Sequence, residues 1–238
     1  MTLQQAIGGN IRFKAQSFIS FALLLFGLTA SKCEKEEPLL FQELIFVFNL
    51  EINPKDSIVA KNDTLWITAE FNDSILEYNS NKRLKIPDFD FLNTIGFFKL
   101  IGNKVIFSNQ PGATESFQFI NLIGSVSNLR DTFADFTFNY NNGFYSCRIG
   151  VIPKATGVFS INFLRPPELS LSKILMLPDT PDGRKVIPFY RNIYYVINDG
   201  ITNFELYKKH CVASSEILVT TDMIYYEQKG TFTFRVID

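Results

Sequence analysis

The stretch that decides the fold runs from residue 134 to residue 151 and reads ADFTFNYNNGFYSCRIGV. In its first half every second residue is apolar, and these residues are Ala134, Phe136, Phe138 and Tyr140. In its second half the alternation resumes with Tyr145, Cys147, Ile149 and Val151. A period of two is typical of a strand with one buried face. Asn141-Asn142-Gly143 between the halves is able to take positive φ angles. The stretch therefore predicts a β-hairpin.

The same alternation recurs along the chain. After a turn at 153–157, Phe159, Ile161 and Phe163 predict a third strand, so we expect residues 133–164 to form an antiparallel meander. Residues 65–71 alternate in the same way, and residues 232–236 do so as a closing strand. Residues 41–50 are continuously apolar and fit a buried strand. The chain is therefore predicted to be rich in strands from end to end.

The remaining segments are less regular. Residues 92–107 fit one bent strand or two, and residues 201–210 fit a short helix. Prolines and a glycine between 164 and 186 indicate a long connection, either between two domains or within one sandwich. The second is favoured because the chain after it holds few clear strands. We predict an all-β, antiparallel β-sandwich over residues 41–238, immunoglobulin-like, with little helix and a possible subdivision near 165–186.

The N-terminal region has the order of an export signal. Arg12 and Lys14 precede an apolar run at residues 18–28, and small residues lead from there to Cys33. The run is shorter than the roughly 20 residues that cross a bilayer, and it has no polar stripe such as a surface helix would show. The order of basic, apolar and small residues predicts a signal peptide.

Three fates of this segment are open. They are lipoprotein cleavage before Cys33, ordinary cleavage after Ala30 or Ser31, and retention as an uncleaved anchor. A charged spacer ending in a proline follows Cys33 directly, which favours the lipoprotein, although Lys32 fits that cleavage site poorly. We therefore predict a lipoprotein signal peptide at 1–32, lipidation at Cys33, a charged tether at 33–40 and attachment to a membrane through the N-terminal lipid.

Two short motifs carry a resemblance. Cys33 followed by Glu34, Lys35, Glu36 and Glu37 resembles the lipoproteins of Bacteroidota, in which an acidic stretch after the lipidated cysteine is a surface-export signal. Residues 61–67, KNDTLWI, are similar to a GDTLWI segment of lipoproteins from that phylum, with Asn62 in place of the glycine. The resemblance implies a cell-envelope lipoprotein of the outer membrane, either surface-exposed or periplasmic.

Composition excludes several function classes. Removal of residues 1–32 takes away three cations and no acid, and the formal charge moves from −1 to about −4. No cluster of Lys or Arg stands out, which argues against nucleic acid as a partner. The chain has one His and three Cys without a CxxC pair, so we expect neither a metal site nor a cofactor.

The cysteines leave two alternatives. If Cys33 is lipidated, Cys147 and Cys211 remain, and they either pair in an oxidising envelope compartment or stay as buried free thiols. His210 beside Cys211 does not predict a catalytic dyad, because neighbouring side chains usually point apart.

Asp88 and Asp90 flank Phe89 and invite comparison with the carboxylate pair of a glycosidase, whose acids lie about 5 to 10 Å apart. A solvated strand edge is the favoured interpretation. No phosphate-binding loop, Gly-x-Ser-x-Gly elbow or HExxH motif is present, and we expect a protein that is not an enzyme.

Three triplets share the order Asp, hydroxyl residue, aliphatic residue, and they begin at Asp56, Asp63 and Asp73. They resemble the acceptor motif of periplasmic O-glycosylation in Bacteroidota, which implies attachment at Ser57, Thr64 and Ser74. The alternative is that such pairs are ordinary turn and strand-entry residues.

Three function classes follow. The first is a non-catalytic surface or periplasmic module that binds a glycan or a protein partner. The second is a structural accessory subunit of an outer-membrane assembly, and the least favoured is a glycan-directed hydrolase. An exposed aromatic row would favour glycan binding, a concave pocket with two close acids the enzyme, and a flat apolar patch the subunit. The candidate stacking residues are Trp66, Tyr194, Tyr195, Tyr225 and Tyr226.

Overall fold

The structure is a computed structural model, and it describes residues 40–91, 93–102, 105–164, 186–214 and 220–238. Residues Leu40–Asp238 form one compact unit. The predicted signal peptide, Cys33, nearly all of the tether and most of the proline-rich connection lie outside the described residues. Within the part of the chain that the structure describes, no helix is long and apolar enough to cross a membrane.

The first sheet has eight strands. They are β1 Leu40–Asn53, β3 Leu65–Asn72, β4 Ser74–Glu77, β5 Lys82–Lys85, β7 Phe117–Ile123, β10 Asn139–Asn141, β11 Phe144–Pro153 and β13 Val186–Ile197. The long strand β1 organises the sheet: β13 pairs with it in parallel, whereas β3 and β4 pair with it antiparallel. Strand β11 continues the sheet from β3 and itself pairs with β7 and β10, while β5 pairs with β4.

The second sheet has six strands. They are β2 Ile58–Ala60, β6 Asn93–Lys99, β8 Ser125–Ser127, β9 Phe133–Thr137, β12 Gly157–Leu164 and β14 Thr231–Ile237. Their order across the sheet is β2-β14-β12-β6-β9-β8. Strands β14 and β2 run parallel, and the other neighbours are antiparallel.

The core lies between the two sheets and is largely aromatic and aliphatic. Side chains alternate in direction along a strand, so β1 directs Phe46, Phe48 and Leu50 into the core and β14 directs Phe232 and Phe234 into it. Rings from the two sheets meet there: the centroids of Phe163 and Tyr195 lie 5.4 Å apart. One shared core holds the sheets face to face, as in a β-sandwich.

The outer face of the second sheet is also covered. Phe97 belongs to the central core, while its neighbour Phe98 belongs to a second apolar cluster with Phe107, Val158 and Tyr207. The helical segments after β13 supply part of this cover. They are α1 Phe204–His210, the single turn α2 Thr221–Met223 and the π-helix Ile224–Lys229 that continues it. The other described helical pieces are 3₁₀ turns at Phe107–Asn109, Thr114–Ser116 and Asn198–Gly200.

The predicted meander over 133–164 is wrong, although its hairpin turn is correct. Strands β10 and β11 form a hairpin around Asn142 and Gly143, whose φ angles are 50° and 83°. Strand β9, however, pairs with β6 and β8 in the other sheet, and so does not continue into β10 within one sheet. Likewise β11 and β12 lie in different sheets. The chain crosses between the sheets at Phe138 and again at 154–156. The alternation of apolar residues predicts a strand but does not indicate the sheet to which it belongs.

The predicted all-β sandwich is confirmed: the described residues form two facing sheets, in which most neighbouring strands are antiparallel, with little helix. The strands expected near 41–50, 65–71 and 232–236 are β1, β3 and β14, and the short helix expected within 201–210 is α1. Residues 93–99 form one strand, β6. Asn62 has a φ of 70°, a conformation that Gly and Asn accept most readily, which explains why either residue suits the turn before β3.

Candidate functional site

An open cleft of about 350 Å³ lies at one side of the sandwich. Its lining comes from residues 88–91, Asn93, residues 137–140 and Tyr145. Residues 88–91 belong to the connection from β5 to β6, and Phe138 lies between β9 and β10, so both chain segments are crossings from one sheet to the other. The cleft therefore lies between two chain segments that each cross from one sheet to the other.

Tyr145 holds the segment that carries the two acids. Its hydroxyl donates a hydrogen bond to the carbonyl oxygen of Ile86 at 2.7 Å and accepts one from the amide of Phe89 at 2.8 Å. Burial raises the pKa of Tyr145 to about 12, so the hydroxyl is a constant donor at neutral pH. Asp88 in this segment has a φ of 45°, in the left-handed region. Tyr145 thereby fixes the backbone on both sides of Pro87 and Asp88.

Tyr140, which pairs with Tyr145 across strands β10 and β11, is held by a buried acid. Its hydroxyl donates to Asp73 Oδ2 at 3.0 Å, and Lys85 Nζ lies 2.6 Å from Asp73 Oδ1. The hydrogen bond from Lys85 is the main reason that the pKa of Asp73 is lowered. Burial and the hydrogen bond to Asp73 together raise the pKa of Tyr140. The carboxylate of Asp73 is thus ionised and orients the Tyr140 ring against the cleft.

The floor of the cleft is aromatic. The ring centroids of Phe89 and Phe91 lie 4.9 Å apart, and those of Tyr140 and Tyr145 lie 4.8 Å apart. Phe91 and Tyr145 also pack edge-on at 5.5 Å, so the rings form one continuous cluster. Phe91 and Tyr145 are buried, so the half-buried rings of Phe89 and Tyr140 are the ones that border the open volume.

The rim of the cleft is polar. Asp88, Asp90 and Asn139 are exposed, as is Thr137. Carboxylate, amide and hydroxyl groups over aromatic rings are able to accept and donate hydrogen bonds to a ligand that also has an apolar face. Within the described part of the chain, no group of three or more His, Cys, Asp or Glu residues is placed to hold a metal ion. The arrangement is suited to binding through hydrogen bonds and ring contacts.

The predicted stacking residues do not form one row. Tyr194 and Tyr225 come together, with parallel rings 4.3 Å apart, and Tyr78 packs edge-on against both. We call Tyr78, Tyr194 and Tyr225 the aromatic stack. Lys229 Nζ lies 4.4 Å from the Tyr225 ring centroid, and the hydroxyl of Tyr194 donates to Asp222. These rings pack on one another and on the π-helix.

Two more of the predicted stacking residues are structural. Tyr195 is buried between the sheets and donates its hydroxyl to Asn93, so no surface ligand reaches its ring, which corrects the expectation for this residue. Tyr226 packs against the second cluster, 6.0 Å from the Phe107 ring, and burial raises its pKa to about 12. Large aromatic residues are often buried, and both residues follow that pattern, Tyr195 from strand β13 and Tyr226 from the π-helix.

Trp66 lies apart from the stack and from the cleft. It is half-buried on the face of β3 opposite the core residues Leu65 and Ile67. The guanidinium of Arg148 lies 5.2 Å from the centre of its ring. A Cβ at Gly150 would meet the indole at 3.3 Å, so the absence of a side chain there makes room for the ring. Trp66 therefore stays a candidate stacking residue on a different surface.

Both described cysteines are free and buried, and no disulfide joins them. Cys147 lies in the core between the sheets, whereas Cys211 lies in the second cluster beyond the outer face of the second sheet. Burial raises the pKa of Cys147 to about 12 and also raises that of Cys211, so neither is a ready nucleophile. Of the two alternatives, the structure shows two buried free thiols, and the candidate disulfide between Cys147 and Cys211 is not formed.

The three candidate O-glycosylation residues differ in access. Ser57 is exposed, together with its neighbour Asp56. Thr64 and Ser74 are half-buried, and the acid before Ser74 is Asp73, whose carboxylate is engaged by Lys85 and Tyr140. Modification at these residues stays a prediction, with Ser57 the most accessible of the three.

Part of the cleft is predictable from the sequence. Asp88 and Asp90 are visible there as a possible acid pair, but the sequence indicates no further cleft residue beside them. Tyr140, Asn139 and Tyr145 were known only as hairpin residues, and the sequence contains no signal that joins them to residues 88–91, which lie about 50 positions earlier. That these residues line one cleft with residues 88–91 can be seen only in the folded structure, where the two connecting segments come together.

No family model matches the chain, and no curated protein matches it. One solved structure that is similar is the non-cellulosomal cohesin from the hyperthermophilic archaeon Archaeoglobus fulgidus. The two share 8% sequence identity, the match covers 66% of this chain and 91% of the cohesin chain, and the TM-score is 0.19. A likeness of this size supports no inference about function, and the fold assignment rests on the two sheets described above.

Proposed function

We propose that the protein is a non-catalytic binding module of the cell envelope that recognises a glycan in the cleft. The observation that carries this proposal is the meeting of exposed Asp88, Asp90 and Asn139 with an aromatic floor around an open volume of about 350 Å³. Pockets for small ligands are typically about 300 Å³ or larger. A sugar residue at the end or along the side of a glycan is of suitable size.

Sugar chemistry matches both parts of the lining. A pyranose ring has hydroxyl groups around its edge and an apolar face of C–H groups. Carboxylate and amide oxygens of Asp88, Asp90 and Asn139 would accept hydrogen bonds from the hydroxyls. The rings of Phe89 and Tyr140 would contact the C–H face. Tyr145 and Asp73 hold these groups in place before the ligand arrives, which lowers the entropic cost of binding.

The exposure of the acids supports binding rather than hydrolysis. A retaining or inverting glycosidase needs one carboxyl group that stays protonated, which is achieved in an apolar, desolvated setting. Asp88 and Asp90 are both exposed and come from one short segment, so neither is placed in such a setting. We therefore assign them to hydrogen bonding.

The N-terminal sequence supports the proposed place of action. The order of Arg12 and Lys14, an apolar run and Cys33 supports export, lipidation at Cys33 and attachment to the outer membrane. A lipid anchor with a charged spacer would hold the sandwich close to glycans at the cell envelope. The resemblance to Bacteroidota lipoproteins is consistent with this location.

The test is a glycan-array screen of the full-length protein, followed by titration of the best ligand. We expect a micromolar to millimolar ligand that loses affinity in Asp90→Asn and keeps it in Glu70→Gln, an exposed acid on the other face of the first sheet. Product analysis after long incubation checks for hydrolysis. Two results would contradict the proposal. One is that no glycan on the array binds, and the other is that the ligand is hydrolysed in a reaction that requires both Asp88 and Asp90.

A second candidate function is a subunit of an outer-membrane assembly. It is favoured by three exposed apolar side chains on the paired strands β7 and β11, namely Leu122, Ile123 and Phe144. Chemical cross-linking on intact cells tests it. Capture of one recurrent partner, lost in a Leu122→Ser/Phe144→Ser variant and retained in Asp90→Asn, would favour this function over glycan binding.

A further inference from the structure

We infer that strand β7, Phe117–Ile123, pairs edge to edge with the same strand of a second copy of this chain, so that the first sheets of two molecules join into one. This inference does not depend on glycan binding in the cleft. Strand β7 pairs with β11 on one side. On its other side, no strand in the described part of the chain pairs with it. An edge strand of this kind presents backbone groups to a further strand.

The register of β7 on β11 shows which backbone groups face the open edge. The amide of Lys154 donates to the carbonyl oxygen of Ser116 at 2.8 Å, in line with the β7–β11 ladder. Opposite residues of an antiparallel pair alternate between bonded and non-bonded pairs, so every second residue after Ser116 also bonds to β11. The residues between them, Phe119 and Asn121, therefore direct N–H and C=O away from β11. Among the described residues, no backbone group pairs with these four groups.

Length and charge distinguish β7 from the strands that end each sheet. Strand β5 carries three cations in four residues, and β2, β8 and β10 have three residues each. Short or charged edges resist pairing with another chain. Strand β7 has seven residues, without a charge or a proline, and its Leu122 and Ile123 are exposed. It is therefore the edge that is suited to accept a further strand.

The pattern of β7 favours a second copy as that strand. A twofold axis at Ile120 would place Phe119 opposite Asn121 of the second copy, and the reverse, so that the outward groups of each copy bond to the other. Ile120 would meet its own counterpart, an apolar pair in the centre of the contact. Its side chain lies on the outer face of the sheet, because a Cβ at Gly150 would meet Ile120 Cβ at 3.2 Å and the Trp66 ring at 3.3 Å.

The charges at the two ends of β7 agree with this antiparallel arrangement. Exposed Glu115 precedes the strand, and exposed Arg148 pairs with Ile123 at its end. Neither belongs to an ion pair within the described residues. Lys154 also lies near the beginning of β7, but its ammonium group donates to Asn62 on the side of β3, at 3.2 Å. Antiparallel pairing brings the acidic end of one copy towards the basic end of the other, whereas parallel pairing would bring like charges together.

Cysteine cross-linking of the full-length chain tests the register. Every variant carries Cys33→Ser, and Cys147 and Cys211 are buried. In the proposed dimer the two residues at position 120 have Cα atoms about 4.5 Å apart, within reach of a disulfide. Position 118 would lie about 13 Å from its counterpart, beyond that reach. On mild oxidation we expect Ile120→Cys to form at least about fivefold more disulfide-linked dimer than Gln118→Cys, its neighbour on the same face.

Lysine substitutions measure the association without a disulfide. Leu122→Lys adds to β7 the charge that it lacks, at a side chain that is 55% exposed. Ile58→Lys is the matched control, because Ile58 is 56% exposed and lies on β2, which ends the second sheet away from β8. Sedimentation equilibrium of the full-length chain in a mild detergent should show a dimer. We expect its dissociation constant to rise at least about tenfold in Leu122→Lys and to stay unchanged in Ile58→Lys.

Several results would overturn the inference. One is equal cross-linking of Ile120→Cys and Gln118→Cys, or no cross-linked dimer in either. Another is a wild-type chain that sediments as a monomer at every concentration, or a dimer that Ile58→Lys weakens as much as Leu122→Lys does. In whole cells, a disulfide from Ile120→Cys to a different envelope protein, without the homodimer, would assign the edge to an assembly of unlike subunits instead.

Discussion

The cleft and the aromatic stack are both rich in tyrosine and phenylalanine, yet they use their rings differently. In the stack, Tyr194 and Tyr225 lie face to face at 4.3 Å, and Tyr78 closes against both. In the cleft, Phe89 and Tyr140 border an open volume, and their polar neighbours point to the rim. The stack is a packed cluster, whereas Phe89 and Tyr140, which also contact neighbouring rings, line an open volume that a ligand can enter.

Each region also rests on one buried acid, and the two acids flank the same short strand, β4. Asp73 precedes the strand and holds Tyr140 beside the cleft. Glu77 ends the strand and accepts hydrogen bonds from the amides of Ser80 at 2.6 Å and Ile45 at 3.1 Å, next to Tyr78. The comparison therefore predicts that substitutions in the stack change stability alone, and that substitutions around the cleft change binding.

The largest effect is expected for Tyr194→Ala. Tyr194 is 4% exposed, and loss of its ring should destabilise the protein by about 3 kcal/mol because a cavity is left under Tyr225. Urea unfolding followed by tryptophan fluorescence measures this change. Glycan affinity, measured where the variant is folded, should equal that of the wild type. A variant with full stability and lost binding would reverse the roles of the two regions.

The next effect is a loss of stability in acid. The hydrogen bond from Lys85 lowers the pKa of Asp73; for Glu77, burial alone would raise the pKa, but hydrogen bonds from Ser80, Ile45 and Asn79 outweigh it and lower it. Carboxylates with lowered folded-state pKa values stabilise the fold above their unfolded values and lose that contribution as the pH falls. The free energy of unfolding should be level above about pH 5 and fall below it.

Variants test whether Asp73 and Glu77 cause this loss of stability in acid. Asp73→Asn and Glu77→Gln should each make the decline below about pH 5 shallower. Asp135→Asn is the matched control, because Asp135 also pairs with a cation, Arg130, but on the exposed surface. The account would be contradicted if the free energy of unfolding declined below about pH 5 as in the wild type in both variants, and declined less steeply in the control.

A smaller effect on stability and a selective effect on binding are expected for Tyr145→Phe. The substitution keeps the ring but removes both hydrogen bonds to Ile86 and Phe89. We expect a loss of about 1 kcal/mol in stability. Because the segment with Asp88 and Asp90 is then held less firmly, glycan affinity should fall several-fold. Tyr194→Phe, which loses a hydroxyl in the stack, is the control and should leave affinity unchanged.

The smallest effect is expected for Lys229→Met. This substitution keeps an unbranched apolar stem but removes the ammonium group that lies 4.4 Å from the Tyr225 ring centroid. A cation–π contact at a half-exposed site is worth about 0.5 kcal/mol, so thermal unfolding should shift by a degree or two and binding should not change. A change in affinity here would mean that the stack contacts the ligand.

The sequence predicted the local features of this fold because those features are set by local physics. The alternation of Leu65 and Ile67 with polar neighbours defines the two faces of β3, and Asn142-Gly143 defines the hairpin turn. The choice of sheet for each strand is not local. Strand β1 pairs in parallel with β13, more than 140 residues later, and no pattern within either strand specifies the partner.

The candidate site likewise has a part that the sequence predicts and a part that it does not. Asp88 and Asp90 stood out as an acid pair from their spacing alone. The ring that faces them, Tyr140, was placed in a hairpin, and the acid that orients it, Asp73, was noticed only as the neighbour of Ser74. A cleft made from two crossings between sheets depends on the assembled sandwich, so its walls were beyond prediction from the sequence.

The measurement that tests the central claim most directly is a ¹H–¹⁵N NMR titration of the full-length protein with the best glycan from the array. The account predicts that the amides of residues 88–91 and 137–140 and of Tyr145 shift with one common dissociation constant, while those of Tyr78, Tyr194 and Tyr225 stay in place. Shifts centred on the aromatic stack or on Trp66, with the cleft amides unmoved, would contradict it.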